Sequence, residues 1–399
     1  MSHLEPLSRP IFGIVAGEAS GDLLGQSLIK HLKNIYPHAR FVGVGGEKMI
    51  SEGLESLDSI ETLSVMGLIE PLKKLPQIFR LRNKLVKFFK ANRPLCFIGI
   101  DAPDFNLRIE KTFKNMGIKT AHLVSPTLWA WREGRIHGIK KSTDLMLLIF
   151  PFEKEFYDKH NVAAAYIGHP LADEIPMFSD KAQARKALGL SLKTQYITLM
   201  PGSRDAELRY LGEPFFEAAE WLRKKYPKIR FIVACLNEKR KQQLIKHLNN
   251  QFNLDDFHFV VGQATLAMQA SDVILLASGT AALQAALIKR PIVVAYKMSH
   301  FTFQIAKRVV KVKSISLPNI IAGRKVITEL VQNDATPKNM CQAIELYLNT
   351  QDESEALIDE FTRQHKLLKC EAGEKAAKAI QKFVEKRVKD NVHSSAVQK

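Results

Sequence analysis

Short apolar runs of strand length, interleaved with longer segments of helical period, constrain this chain more than any other feature. One series of runs falls at 11–16, 40–44, 95–100, 119–124 and 144–149, and a second at 196–200, 230–234, 258–261, 273–277 and 292–295. Helical periodicity fits 23–35, 78–90, 213–225, 239–249 and 281–288. A strand that is apolar on both faces needs cover on both, which helices flanking a parallel sheet provide. The reading is therefore α/β, with two doubly wound Rossmann-like domains. A chain of 399 residues has the length for two cores. An irregular passage at 169–179, holding Pro170 and Pro176, reads as the linker. It divides a first domain at 1–175 from a second at 176–335. After about Thr336 strand signals stop, so 336–399 reads as helices packing across the domains, with a frayed end. Two such domains facing a cleft would bind ligands at the carboxyl ends of their strands.

Charge narrows the partners. The formal net charge is +17, from 58 basic and 41 acidic residues. The window 71–100 holds eight basic residues and no acid, and 273–328 holds nine and no acid. Both should attract anions, whether nucleic acid, phosphorylated metabolite or anionic lipid. The four cysteines, Cys96, Cys235, Cys341 and Cys370, lie too far apart for a zinc knuckle or redox pair, which fits a reducing cytoplasm. The amino-terminal segment lacks the basic start and long apolar run of a signal peptide. The longest apolar stretch free of acids and bases, 273–288, is interrupted by Ser278, Gly279, Thr280 and Gln284. It is too short and polar to span about 30 Å of hydrocarbon.

Several motifs fall at expected strand ends. The first strand runs into Gly17-Glu18-Ala19-Ser20-Gly21-Asp22, whose glycine spacing is not the dinucleotide fingerprint. Gly17 and Gly21 allow close backbone approach, and Ser20 or Asp22 suits a helix cap. A second glycine turn, Gly43-Val44-Gly45-Gly46, follows the next strand. At Gly99-Ile100-Asp101-Ala102-Pro103-Asp104, Asp101 ends a strand and Asp104 opens a helix. Asp104 suits capping or positioning. Asp101 has no such duty and is the candidate general base, able to take a hydroxyl proton as that oxygen attacks. In the second half, Pro201-Gly202-Ser203-Arg204 offers a hydroxyl and a guanidinium suited to phosphate oxygens. The helix opening at Ser278-Gly279-Thr280 presents free amides and a positive dipole end, a diphosphate seat that competes with an ordinary capped helix.

The stretch 65–93 interleaves apolar residues, Val65, Met66, Leu68, Ile69 and Leu72 among them, with cations. Core packing with a solvated basic face is the ordinary account, and docking on anionic lipid is the functional one. Trp129 and Trp131 could fill core or line an acyl or sugar site. His122, His137 and His169 lack metal-ligand spacing, and no Gly-x-Ser-x-Gly motif or hydrolase triad is present.

Taken together, VAGEASGD (15–22), GIDAPDFN (99–106), VSPTLWAWR (124–132), PFEKEFYD (151–158), YIGHPLAD (166–173), PGSR (201–204), LLASGTAAL (275–283) and SLPNIIAG (316–323) stand in one order over most of the chain. This set resembles the bacterial lipid-A-disaccharide synthase family, with coverage from about residue 10 to 385. The resemblance implies the two-domain GT-B glycosyltransferase fold. It implies transfer from UDP-2,3-diacylglucosamine to 2,3-diacylglucosamine 1-phosphate (lipid X), giving a β-1,6-linked tetraacyl disaccharide 1-phosphate and UDP with inversion. By motif match the catalytic base falls on Asp101. Ser203, Arg204, Gly279, Thr280, Gln284 and Asn319 fall on the UDP and diphosphate side. Gly17, Glu18, Ser20, Gly21 and Asp104 fall on the acceptor side. No metal and no cofactor are expected. The residues 65–93 become a membrane-facing region at the cytoplasmic face of the inner membrane, and a homodimer is compatible with the reading. One departure stands out: the family commonly has glutamate where this chain has Gln284, which removes charge assistance from a ribose contact.

Rival readings are another UDP-sugar enzyme of this fold, such as a UDP-N-acetylglucosamine 2-epimerase or the peptidoglycan glucosaminyltransferase. A nucleic-acid-binding protein lacks the expected helix-turn-helix, zinc-finger or RNP-like motifs, and nucleic acid drops out as a partner.

Overall fold

The apolar runs become strands because parallel neighbours and helices remove both of their faces from water. The computed structural model describes residues 9–63, 70–131, 133–300, 302–304 and 314–396. Two compact units form, one of Met1–Asp173 with Leu368–Lys399 and one of Glu174–Leu367.

The first unit is built on β1 (Ile11–Ala16), β2 (Arg40–Gly45), β3 (Leu54–Ser59), β4 (Cys96–Ile100), β5 (Thr120–Leu123), β6 (Leu145–Leu148) and β7 (Ala164–Tyr166). Their order is β3-β2-β1-β4-β5-β6-β7, with all pairs parallel. The order reverses between β1 and β4, where Ala16 lies opposite Ile100. Gly17 and Asp101 therefore leave the sheet side by side at its switch point.

The second unit repeats the plan with β8 (Tyr196–Met200), β9 (Arg230–Cys235), β10 (Phe257–Val261), β11 (Val273–Ala277), β12 (Ile292–Tyr296) and β13 (Thr328–Val331). The order is β10-β9-β8-β11-β12-β13, again parallel. Its switch point lies between β8 and β11, where Met200 faces Leu276. Pro201–Arg204 and Ser278–Thr280 leave from there. Both sheets are of the doubly wound, Rossmann-like kind expected from the sequence.

The helices used below are α1 (Ala19–Ile35), α2 (Glu47–Ser51), α3 (Glu70–Ala91), α4 (Pro103–Asn115), α5 (Ile136–Ser142), α6 (Asp205–Lys225), α7 (Thr280–Ile288), α8 (Gln351–Leu368) and α9 (Ala372–Ala396). Aromatic clusters hold each core. In the first unit the Phe89 ring lies 5.7 Å from both Phe97 and Phe113, which are 4.6 Å apart. In the second, Phe216 stands 4.5 Å from Phe257. Truncating such a ring to alanine typically costs about 3–5 kcal/mol.

The basic stretch at 71–93 falls on α3. Leu81, Leu85 and Phe89, spaced one turn apart, are buried, whereas Leu75 and Phe79 are 40% and 52% exposed. Val65, Met66, Leu68 and Ile69 lie outside the described residues, and Leu72 lies in the opening turn of α3. No helix among the described residues is long and apolar enough to cross a membrane.

Around 169–179 a short helix forms at Pro170–Glu174. Asp173, at the boundary, accepts hydrogen bonds from the N–H groups of Cys370 (3.0 Å), Glu371 (2.9 Å) and Ala372 (2.7 Å). It thereby caps α9, which packs on α1 in the first unit, while α8 belongs almost wholly to the second.

Candidate functional site

In the first unit the site is assembled at the β1 and β4 ends. Gly17 is required sterically, because a Cβ there would lie 2.6 Å from the Ala102 Cβ. Asp101 (φ +53°) and Ala102 (φ +43°) both adopt the left-handed conformation, which costs a non-glycine residue about 1 kcal/mol or more. Asn106 compensates. It is fully buried on α4, and its Nδ2 donates to the carbonyls of Val15 (3.3 Å), Ile100 (3.2 Å) and Asp101 (2.8 Å). Beneath it, Glu110 and His122 form a fully buried pair at 2.7 Å, and burial raises the Glu110 carboxyl pKa. Gly99 makes room for both, since a Cβ there would sit 2.1 Å from Glu110 Oε1 and 2.8 Å from Asn106 Cβ.

Glu18 is exposed at the end of β1, and its carboxyl pKa is raised, first by partial desolvation and then by the negative charge of Asp101. The two carboxylates thus share one field at the switch point. Ser20 is exposed in the first turn of α1, and Gly21 packs closely on Ala16 and Ile100.

Two capping expectations are corrected. Ala102, not Asp104, holds the cap position of α4, because Pro103 takes the first helical position; the Asp104 carboxylate accepts from Arg135 Nη2 at 2.9 Å instead. At α1 the cap position is Glu18, with no side-chain bond. Asp22 reaches across to the N–H groups of Gly46 (2.7 Å), Lys48 (3.1 Å) and Met49 (3.1 Å), so it caps α2. The second glycine turn is accounted for by this contact.

Further along the same sheet edge, Trp129 Nε1 donates to Glu153 Oε1 (3.2 Å), and Phe150 N donates to Glu153 Oε2 (3.1 Å). Ser125 Oγ and Tyr157 Oη are 2.7 Å apart, and the Trp129 ring stands edge-on to Phe152 at 4.8 Å. Burial pushes the Glu153 carboxyl up to about 7 and His169 down to about 4. The His169 ring lies 5.2 Å from Phe150, which stacks on Phe152 at 5.4 Å, so the motifs at 124–132, 151–158 and 166–173 meet in one aromatic cluster.

In the second unit, Ser203, Arg204, Gly279, Thr280 and Gln284 line one pocket of about 510 Å³. Gly202 (φ +137°) turns the chain tightly over Glu207; a Cβ there would lie 2.4 Å from the Glu207 Cβ. The Glu207 carboxylate takes the backbone N–H of Ser203 (2.8 Å) and Arg204 (3.1 Å) and the Arg204 guanidinium (2.9 Å). It anchors Arg204, whose side chain remains 79% exposed. Opposite, α7 starts after Gly279 with no side-chain cap, and the space around Gly279 is open to 4 Å. The first-turn amides and the helix dipole are thus available to an anion. Gln284, one turn on, donates from Nε2 to Thr265 Oγ1 at 2.7 Å.

Asn319 lies elsewhere. It is buried, accepts from the N–H groups of Val326 (2.7 Å) and Ile327 (2.9 Å), and donates to Ile327 O (3.1 Å) and Glu329 Oε1 (2.8 Å). It borders a separate pocket of about 520 Å³ with Arg324 and Lys325. Among the described residues, no cluster of three His, Cys, Asp or Glu side chains is placed to hold a metal ion.

Sequence reasoning missed Asn106, Glu153 and Glu207. Glu207 stands three residues past Arg204, the cap of α6, as the glutamate of a capping box does, but the Ser, Thr, Asp or Asn that marks such a box in a sequence is absent there. The other two combine near neighbours, Asp101 for Asn106 and Phe150 for Glu153, with groups that only the fold brings near, Val15 and Trp129.

The family model described as Lipid-A-disaccharide synthetase matches residues 11–380. A lipid-A-disaccharide synthase of Vibrio campbellii is 47% identical over 381 residues, covering 95% of this chain and 100% of that protein. One of Aliivibrio salmonicida is 48% identical over 383 residues, covering 95% and 99%. Among solved structures, UDP-GlcNAc 2-epimerase from Neisseria meningitidis bound to UDP-GlcNAc superposes with a TM-score of 0.60 at 13% identity, covering 96% and 100%. An Anabaena protein in complex with UDP and glucose gives 0.55 at 10%, covering 97% and 100%. These structural likenesses establish the GT-B fold.

Proposed function

The chain belongs to the lipid-A-disaccharide synthase family, a glycosyltransferase family of lipid A biosynthesis, and on that premise we propose that it joins UDP-2,3-diacylglucosamine to lipid X by a single inverting displacement with Asp101 as general base. The observation that carries the reading is the placement of Asp101 at the β4 end, on a strained backbone held by Asn106. Strain kept at a strand end needs support that the fold does not supply elsewhere without cause.

In this mechanism the Asp101 carboxylate takes the proton of the acceptor 6-hydroxyl as that oxygen attacks the donor's anomeric carbon. The bond to UDP breaks as the new bond forms, and UDP leaves with its electron pair. Arg204 and the uncapped start of α7 offset the charge that gathers on the diphosphate. Charge neutralisation by these groups leaves no step that calls for a metal. Glu18 and Asp104 flank the acceptor hydroxyl, Ser203 and Gln284 the nucleotide. Asn319 borders the separate pocket with Arg324 and Lys325, so no nucleotide contact is assigned to it.

Both substrates carry acyl chains, so the enzyme works at the cytoplasmic face of the inner membrane. Support comes from α3, where Leu75 and Phe79 are exposed on a helix whose charged residues after Glu70 are all basic.

The test is incubation with UDP-2,3-diacylglucosamine and lipid X, reading disaccharide and UDP together. Asp101→Ala should lose most turnover and still bind UDP. Normal turnover in that variant would remove Asp101 as the base. Turnover of UDP-N-acetylglucosamine without a lipid acceptor would favour an epimerase. Repeating the assay with chelator tests the metal-free mechanism.

A further inference from the structure

A groove of about 230 Å³ runs between α4 and α5 in the first unit, starting at Pro103, two residues from Asp101. Its floor is apolar, with Leu107, Leu128 and Ile139 each under 10% exposed. Its rim is cationic, with Arg108, Lys111 and Arg135. On α4, Asp104, Leu107, Arg108 and Lys111 share one face by helical spacing. Arg108 stands one turn on from Asp104 on that face and lines the groove. Arg135 already holds a carboxylate, that of Asp104, at 2.9 Å, with side chains 39% and 83% exposed. An exposed pair of this kind contributes little to stability and exchanges readily for a stronger anion. Arg108 and Lys111 are exposed, and no ion pair among the described residues engages them. Three cations against one carboxylate leave a positive excess around an apolar trough.

We propose that this groove seats a phosphomonoester, the anionic end of the sugar acceptor, with Arg108, Lys111 and Arg135 on its oxygens and the adjoining acyl surface on the apolar floor. The assignment rests on the acceptor reading given above, and it adds residues to which no role was attached. Guanidinium gives the paired, planar donors that phosphate oxygens prefer, and lysine adds a point charge. Seating the phosphate here fixes the sugar's far end while its hydroxyl lies toward Asp101.

The same cations could instead meet phospholipid headgroups, so the test separates the two sources. Full-length wild type and an Arg108→Gln, Lys111→Gln double variant are titrated with water-soluble glucosamine 1-phosphate and with glucosamine. Wild type should prefer the phosphate, and the variant should lose about tenfold for it with no loss for glucosamine. In turnover, the preference in KM for lipid X over its dephosphorylated counterpart should fall by about the same factor. Equal losses for both ligands, or none, overturn the assignment. Weakened binding to vesicles containing phosphatidylglycerol, with glucosamine 1-phosphate binding unchanged, gives the cations to lipid and also overturns it. Wild type that forms no disaccharide would overturn the transfer reaction, and the titration, which needs no turnover, would still decide the groove.

Discussion

The side-chain nitrogen of Asn106 lies 2.8 Å from the main-chain oxygen of Asp101 and donates to it, while bonding two neighbouring strand-end carbonyls as well. One amide thus fixes the left-handed turn on which the candidate base is mounted. Asn106→Ala should strand these carbonyls, cost about 1–3 kcal/mol of stability and lower turnover about 10–100-fold. UDP affinity should hold, because the nucleotide residues lie in the other unit. Denaturation curves, kcat and a UDP titration check this together; unchanged kcat would show that Asp101 keeps its position without Asn106.

Gly202 bears on the nucleotide side. A methyl group there would sit 2.4 Å from the Glu207 Cβ on backbone at φ +137°, so the loop must shift. Gly202→Ala should displace Arg204 and weaken UDP binding about tenfold or more, read by calorimetry.

Gln284 lines the same pocket as Arg204 and Thr280, at the position where the resemblance implies a glutamate. Gln284→Glu restores a charged acceptor for ribose hydroxyls and should tighten UDP by about 1 kcal/mol, roughly fivefold. No change in Kd would place the ribose away from α7.

Stability should depend on pH through the aromatic cluster. Burial lifts Glu153 from 4.5 to about 7, so the folded protein keeps a proton that the unfolded chain releases. The stability from that proton is full below about pH 4.5 and is lost as pH rises through about 7. Glu153→Gln has no proton to lose, so relative to wild type it should gain up to about 3 kcal/mol between pH 5 and 8. His169 runs the other way: its pKa, lowered from 6.5 to about 4, gives stability that is present above about 6.5 and lost as pH falls through about 4. Urea unfolding of wild type and Glu153→Gln at pH 5 and pH 8 isolates the Glu153 part; parallel pH dependences would contradict the burial account.

Most of the fold was legible because its central strands are apolar on both faces. The strands that escaped, β3, β7 and β13, all lie at sheet edges. Each is partly exposed, and β3 buries only Leu54, so no two-faced apolar run marks them. The site was half legible for a related reason. Glycine turns and charged residues at strand ends can be read from order alone. Asn106 and Glu153 could not, since each ties near neighbours to one group far off in sequence, Val15 for Asn106 and Trp129 for Glu153. Asp22 was misassigned on the same ground: a local cap was expected, and the residue serves a helix 25 positions later.

The capping of α9 by Asp173 has a consequence for synthesis. Unit two is one unbroken segment, whereas unit one draws on Leu368–Lys399 as well as Met1–Asp173. On the ribosome, the earlier-made unit must therefore wait with the α1 face uncovered until α9 emerges, while the later-made unit can close first. Order of translation and order of completion are reversed. A chain stalled before residue 368 would expose that apolar face to chaperones or to aggregation.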